Sequence, residues 1–323
     1  MANPPTTSAT GLPADLAEAV RDDRSLRRFL HSLPGVDPTG LELRTAALTG
    51  RSVKGDAKRQ AIDTAIRMVD LTTLEGADTA EKVRALCAKA RRPDPEHPDT
   101  PRVAAVCVYP DLVEVAVREL GGTGIGVASV ATAFPSGRSF RQAKLTEVEL
   151  AVAAGSTEID MVIDRGAFLA GRYAQVFEEI REVKQACGSA HLKVILETGE
   201  LGTYDDVRRA SWLALLAGAD FIKTSTGKTS PAATLPVTHL MLQAVRQWQE
   251  RTGQFRGVKP AGGIRSTKDA IRYLVLVQEA AGPEWLTPRL FRFGASSLLN
   301  DLLMQRRTQL EGHYSGPDYV AVD

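Results

Sequence analysis

Cysteine is scarce in this 323-residue sequence: Cys87, Cys107 and Cys187 are the three it has. Spaced so widely, they form neither a disulfide framework nor a metal-binding knuckle, and a reducing cytoplasm is the expected compartment. Histidine is sparse too. His31, His97, His191, His239 and His313 are scattered, and none falls at the C-terminal end of an expected strand, so no metal and no cofactor is expected. Neither sign of charge prevails. Forty Lys and Arg against thirty-nine Asp and Glu give a formal net charge of +1, with no long basic run, which argues against a nucleic-acid partner. No apolar run is long enough to span a bilayer. The opening MANPPTTSATGLP has no basic start, apolar segment or cleavage pattern, so no secretory leader is expected.

What remains is ordinary soluble material: 43% hydrophobic residues, enough for a large core, and 24% charged residues. Residues 1–60 read as an N-terminal extension. Met1 to Pro13, rich in Pro, Thr, Ser and Ala, is expected to be disordered, and helices are expected at Ala14 to Leu30 and from Asp56. Residues 61–310 carry a regular rhythm, and 311–323 form a tail. Eight short apolar runs recur: MVDLTTL (68–74), VAAVCVY (103–109), GIGVASVAT (124–132), EIDMVID (158–164), LKVILETG (192–199), FIKTSTG (221–227), FRGVKPAGG (255–263) and LFRFGASS (290–297). Helix-like stretches such as Glu81 to Arg91, Tyr173 to Cys187 and Lys268 to Ala281 separate them. Parallel strands need such crossovers, and eight units predict an α/β fold, a (β/α)₈ TIM barrel with a helical N-terminal extension. An open doubly wound sheet is the alternative, but DLTTLEG after the first strand is not a dinucleotide-binding turn.

Alternation along each run sorts side chains between helix layer and lumen. Ile159, Met161 and Ile163 suit the outside, so Asp160 points inward. The same reasoning turns Asp70, Lys193, Glu197, Lys223 and Lys259 into the lumen. Most lie toward strand C-terminal ends, where barrel chemistry sits; Lys193 is nearer its strand's start and reads as structural. A plain ion-pair network is the competing interpretation. Two converging lysines, however, suit amine catalysis. A lysine attacks a carbonyl only when neutral, and a second ammonium plus burial depresses its pKa. An aspartate such as Asp160 can move the protons. Cys107 has no histidine placed to activate it and reads as a small core or pocket-wall residue.

Three glycine-bearing turns follow the last three strands: STGKT with Gly227 and Lys228, AGGIRS with Gly262, Gly263 and Arg265, and FGASS with Gly294, Ser296 and Ser297. Loops at this place in barrels often bind phosphate, where glycines admit backbone N–H groups to an anion and a helix N-terminus adds its field. STGK lacks the earlier glycine of a nucleotide P-loop.

At DLTTLEGADT, VCVYP, EIDMVID, KVILETGEL, GADFIKTSTGK, VKPAGGIR and RFGASSLL the chain resembles the deoxyribose-phosphate aldolases, over about Val69 to Leu303. FIKTSTGK and KPAGG together are highly specific. The resemblance implies reversible cleavage of 2-deoxy-D-ribose 5-phosphate to acetaldehyde and D-glyceraldehyde 3-phosphate, in deoxyribose phosphate catabolism. It puts the Schiff-base lysine at Lys223, the second lysine at Lys259 and the proton-transferring aspartate at Asp160. It assigns phosphate to the three glycine-bearing loops and places Asp70, Thr72 and Cys107 along the pocket. The implied partners are small phosphorylated sugars and aldehydes, and a homodimer is the expected assembly. Some members bring a C-terminal tyrosine to the pocket; here the chain ends GPDYVAVD, and neither Tyr314 nor Tyr319 is assigned a role. Other Schiff-base barrels, such as transaldolase-like or keto-acid aldolases, and a non-catalytic phosphate-binding barrel are the competing readings.

Overall fold

The structure, a computed structural model, describes residues 12–312. Residues 1–11, His313, Tyr314 and Tyr319 lie outside the described residues. Four helices come first: α1 (Ala14–Ala19), α2 (Asp23–Ser32), α3 (Pro38–Thr49) and α4 (Gly55–Arg67). The single helix expected from Ala14 to Leu30 is broken. Asp22 takes the Ser25 N–H on its side chain at 2.8 Å and so starts a new helix rather than continuing the old one. α3 was not legible as a helix in advance; Asp37 caps it and Pro38 occupies its first position.

Eight strand–helix units follow. They are β1 (Val69–Thr72) and α5 (Ala80–Arg91), β2 (Ala105–Val108) and α6 (Val113–Leu120), β3 (Gly126–Ala131) and α7 (Arg141–Ala153). Next come β4 (Glu158–Val162) with α8 (Arg165–Leu169) and α9 (Tyr173–Ala186), and β5 (His191–Ile195) with α10 (Tyr204–Leu216). The last are β6 (Phe221–Lys223) and α11 (Leu235–Thr252), β7 (Gly257–Lys259) and α12 (Thr267–Ala280), and β8 (Phe293–Ala295) and α13 (Leu298–Glu311). Side chains of Thr79, Thr203, Thr234 and Ser266 cap α5, α10, α11 and α12, so these four crossover helices start where the loop delivers a hydroxyl.

All pairings are parallel, in the order β7-β6-β5-β4-β3-β2-β1-β8. The seam between the outer two is closed by bridges from Val258 to Phe291 and from Ala261 to Gly294, with Arg292 N–H donating to the Val258 carbonyl at 3.1 Å. The sheet is thus a barrel, and the open-sheet alternative is excluded. Ile159, Met161, Leu192, Val194, Ile222 and Val258 face outward into one continuous core shared with the surrounding helices. Inside, β4, β5, β6 and β7 are in register so that Asp160 lies beside Lys193 and Lys223 beside Lys259. That register is what brings the lumen charges together. The N-terminal helices pack on the helical ring, α2 on α9 and α10, α3 on α11 and α12, and α4 on α12 and α13. No described helix is long and apolar enough to cross a membrane.

Candidate active site

At the C-terminal end of the barrel a cavity of about 660 Å³ opens above the lumen. Lys223 forms part of its floor. The Lys223 Nζ donates to Asp160 Oδ2 at 2.7 Å, and Lys259 Nζ donates to the same oxygen, also at 2.7 Å. Lys259 is fully buried and stands 2.6 Å from Asp70 Oδ2 as well; that contact is an ion pair rather than a well-angled hydrogen bond. The other Asp160 oxygen accepts from Lys193 at 3.0 Å. Lys193 therefore reaches the aspartate despite its place low in β5. Its second partner is Glu158, the first residue of β4.

The two lysines that share Asp160 Oδ2 differ in their surroundings, and their titration diverges accordingly. For Lys223, burial disfavours the ammonium; Asp160 pulls the other way and Lys259 adds repulsion, and the result lies below the usual lysine value. For Lys259, burial also opposes charge, but Asp160 and Asp70 together outweigh it, and the ammonium is held above its usual range. Asp160 would be pushed up by burial, yet Lys193, Lys223 and Lys259 hold it well below the usual carboxylate value. The site thus has an ionised carboxylate, a fixed ammonium, and a lysine biased toward the free amine.

Cys107 is fully buried in a small apolar group with Leu74, Ala128 and Val130, flanked by Tyr109 and Phe134. Burial raises its thiol, which keeps it protonated and inert. It sits beneath the cavity and is not among the residues that line it, and the same holds for Asp70, Asp160 and Lys259. Thr72 does line it, with its hydroxyl donating to the Asp70 carbonyl at 2.8 Å.

The three glycine-bearing loops form one side of the cavity, through Gly227, Lys228, Gly262, Gly263, Arg265, Gly294, Ser296 and Ser297. Gly262 has φ +80°, and a Cβ there would stand 2.8 Å from the Ala232 Cβ. Gly294 serves a different need: a Cβ would lie 2.7 Å from the Ala261 Cβ and 3.1 Å from the Lys259 Cε, so the absent side chain leaves room for the β7 end and the lysine stem. Glu197 is not a lumen charge beside the lysines. It adopts φ +52° just past β5 and braces the STGK turn, accepting from the Thr226 N–H at 3.2 Å and from its hydroxyl at 2.5 Å. Thr226 Oγ1 in turn accepts from the Lys228 N–H at 3.1 Å. Across the mouth, Lys228 Nζ meets Glu75 at 2.8 Å. Ser297 caps α13 without a side-chain hydrogen bond, so the first turn of that helix keeps N–H groups for other acceptors.

Several residues were missed in advance. Lys82 and Lys89 of α5 line the cavity opposite the glycine loops; a helical face of mixed charge gave no sign of this. Glu158 and Arg292 were also missed, though strand alternation could have found them. Glu158 lies two residues before Asp160, and Arg292 lies between the outward Phe291 and Phe293. Arg292 bonds Asp70 at 2.5 Å and Glu158 at 2.9 Å. Among the described residues no group of three or more His, Cys, Asp or Glu is arranged to hold a metal ion.

Similarity to known proteins agrees with this geometry. The model of the DeoC/LacD family aldolases matches residues 64–304. The deoxyribose-phosphate aldolase of Homo sapiens is 47% identical over 275 residues, covering 82% of this chain and 86% of its own. That of Mus musculus is 47% identical over 278 residues with the same coverage. Among solved structures, a Coccidioides immitis chain assigned as a deoxyribose-phosphate aldolase superposes with a TM-score of 0.65 at 30% identity, over 84% of this chain and 99% of that one. With a shared barrel, a family match across its whole length and relatives close to half identical, the chain belongs to the deoxyribose-phosphate aldolase family.

Proposed function

We propose that the chain cleaves 2-deoxy-D-ribose 5-phosphate reversibly to acetaldehyde and D-glyceraldehyde 3-phosphate, without a metal, through a Schiff base on Lys223. The observation that carries the reading is the contrast between two amines on one oxygen. Lys223 and Lys259 both bond Asp160 Oδ2, but Lys223 reaches the cavity and is biased toward the neutral form, whereas Lys259 is buried and held charged. A neutral lysine facing a cavity is a nucleophile for an aldehyde carbon.

In the proposed sequence Lys223 Nζ adds to C1 of the open-chain sugar. The alkoxide takes a proton, water leaves, and an iminium remains. A base removes the C3 hydroxyl proton, the C2–C3 bond breaks, and its electron pair moves into the iminium to give an enamine. Glyceraldehyde 3-phosphate departs, the enamine is protonated at C2, and water releases acetaldehyde from Lys223. Asp160, bonded to the Lys223 Nζ, accepts and returns these protons, directly or through water. Lys259 supplies the fixed positive charge beneath it. The glycine loops, Lys228, Arg265 and the first turn of α13 take the phosphate.

A coupled assay for glyceraldehyde 3-phosphate, run with a strong chelator, tests this reading against its competitors. Turnover of deoxyribose 5-phosphate is expected, undiminished by the chelator, with a much higher KM for free deoxyribose. No turnover, or a loss restored by zinc, would overturn the proposal.

A further inference from the structure

Beneath the cavity six charged side chains form a closed ring. Arg292 bonds Asp70 Oδ1 at 2.5 Å, and Asp70 Oδ2 faces Lys259 at 2.6 Å. Lys259 bonds Asp160 Oδ2 at 2.7 Å, and Asp160 Oδ1 faces Lys193 at 3.0 Å. Lys193 pairs with Glu158 Oε2, and Glu158 Oε1 returns to Arg292 at 2.9 Å. Cations and carboxylates alternate, every carboxylate oxygen is engaged, and the ring is neutral when all its members are charged. All six side chains are buried.

Lys223 stands outside this ring. Its one carboxylate contact, Asp160 Oδ2, is already taken by Lys259. We propose that Arg292, Glu158 and Lys193 are positioning residues that complete a charge-balanced ring, leaving Lys223 as the one lumen amine whose protonation would add an unmatched charge. An uncompensated buried charge is costly, so the proton leaves from Lys223 and not from Lys259. The same count explains why the two lysines, on adjacent strands and bonded to one oxygen, take different roles. This inference rests on Lys223 being the amine that forms the imine.

The groups facing Lys223 are Asp160 from β4, Lys259 from β7 and Cys107 from β2, with Lys193 of β5 acting through Asp160. Arg292 faces Asp70 of β1, Glu158 of β4 and the ring of Phe221 in β6, 5.9 Å away. Glu197, past β5, is occupied with Thr226. None of the residues proposed as positioning residues lines the cavity.

The test is the pH dependence of imine formation with acetaldehyde, trapped by cyanoborohydride and read by mass spectrometry on the full chain. Arg292→Met leaves the ring one cation short. A proton on Lys223 then restores balance, so the midpoint should move up, by less than the roughly 1–3 pH units of a charge in direct contact. Arg292→Met with Glu158→Gln removes one charge of each sign and should return the midpoint to that of the parent. Arg292→Lys keeps the charge and should keep the midpoint even where rates fall. If Arg292→Met does not fold, Glu158→Gln alone decides, because an excess of positive charge should move the midpoint down. Uniformly lower rates at an unchanged midpoint in Arg292→Met, or no return in the double variant, would overturn the ring. A midpoint that stays or rises in Glu158→Gln would do the same. A parent that forms no adduct at Lys223 would overturn the aldolase reading itself, and is distinguished from these by needing no variant.

Discussion

Asp160→Asn should lower kcat by about 10²–10⁴-fold, the range for loss of a general acid–base group. The substitution keeps the shape and one accepting oxygen, but turns the other oxygen that Lys193, Lys223 and Lys259 now use into an NH2 donor. It removes the charge that can accept a proton. The sign of a second effect makes the experiment informative. Asp160 is the group that pulls the Lys223 pKa upward against burial and Lys259. Without it Lys223 should titrate lower still, and a larger fraction should be neutral at pH 7. If availability of the free amine limited turnover, Asp160→Asn would be faster at neutral pH. A slower enzyme with a downward-shifted midpoint for imine formation would therefore assign the loss to proton transfer. Retained kcat would reduce Asp160 to an ion-pair partner. Leaving buried ammonium groups short of one carboxylate also destabilises the fold, by about 3–5 kcal/mol for a broken buried pair, so thermal melts should accompany the kinetics.

Lys259→Met should act in the opposite direction on Lys223. The thioether roughly keeps the stem that passes over Gly294 but deletes the ammonium. Burial still lowers the Lys223 pKa and Asp160 still raises it, but the repulsion from Lys259 is gone, so the value rises. A rise of about 1–3 units leaves about 10–10³-fold less neutral amine at pH 7. Activity should fall most at neutral pH and recover in part as pH increases. Full recovery is not expected, because Asp70 and Asp160 each lose a partner. A pH profile of imine formation in parent and variant checks this. Uniformly lower rates with an unchanged midpoint would mean that Lys259 acts by contact or proton transfer and not by tuning Lys223.

Much of this was legible because the barrel imposes two strong periods on its sequence. Strands buried on both faces must be short apolar runs, and crossovers must be helical, so the eight runs stand where the eight strands lie. A charged residue inside such a run has few explanations, which is why Asp160, Lys223 and Lys259 could be placed in the lumen from alternation alone. Less was legible where the outcome depends on closure. Arg292 precedes the short β8 and reaches Asp70 on the neighbouring β1 and Glu158 across the lumen; alternation turns it inward, but nothing local announces those partners. Lys193 reads as structural from its height in the strand, and its buried pairs with Glu158 and Asp160 are compatible with that; its reach to Asp160 was the part not legible. Glu197 read as a lumen charge because alternation was continued past the strand end, where the backbone turns left-handed and redirects it to Thr226. The break between α1 and α2 turned on a single capping aspartate inside a continuous amphipathic pattern.

The central claim is that Lys223 is the amine that bonds carbon. Acetaldehyde followed by borohydride should convert an imine to a stable secondary amine, adding one ethyl group to the chain. Digestion and peptide mapping should place that group on Lys223 and nowhere else in stoichiometric amount, and Lys223→Met should abolish it. An ethyl group on Lys259, or no adduct on any lysine while the chain turns over deoxyribose 5-phosphate, would contradict the account.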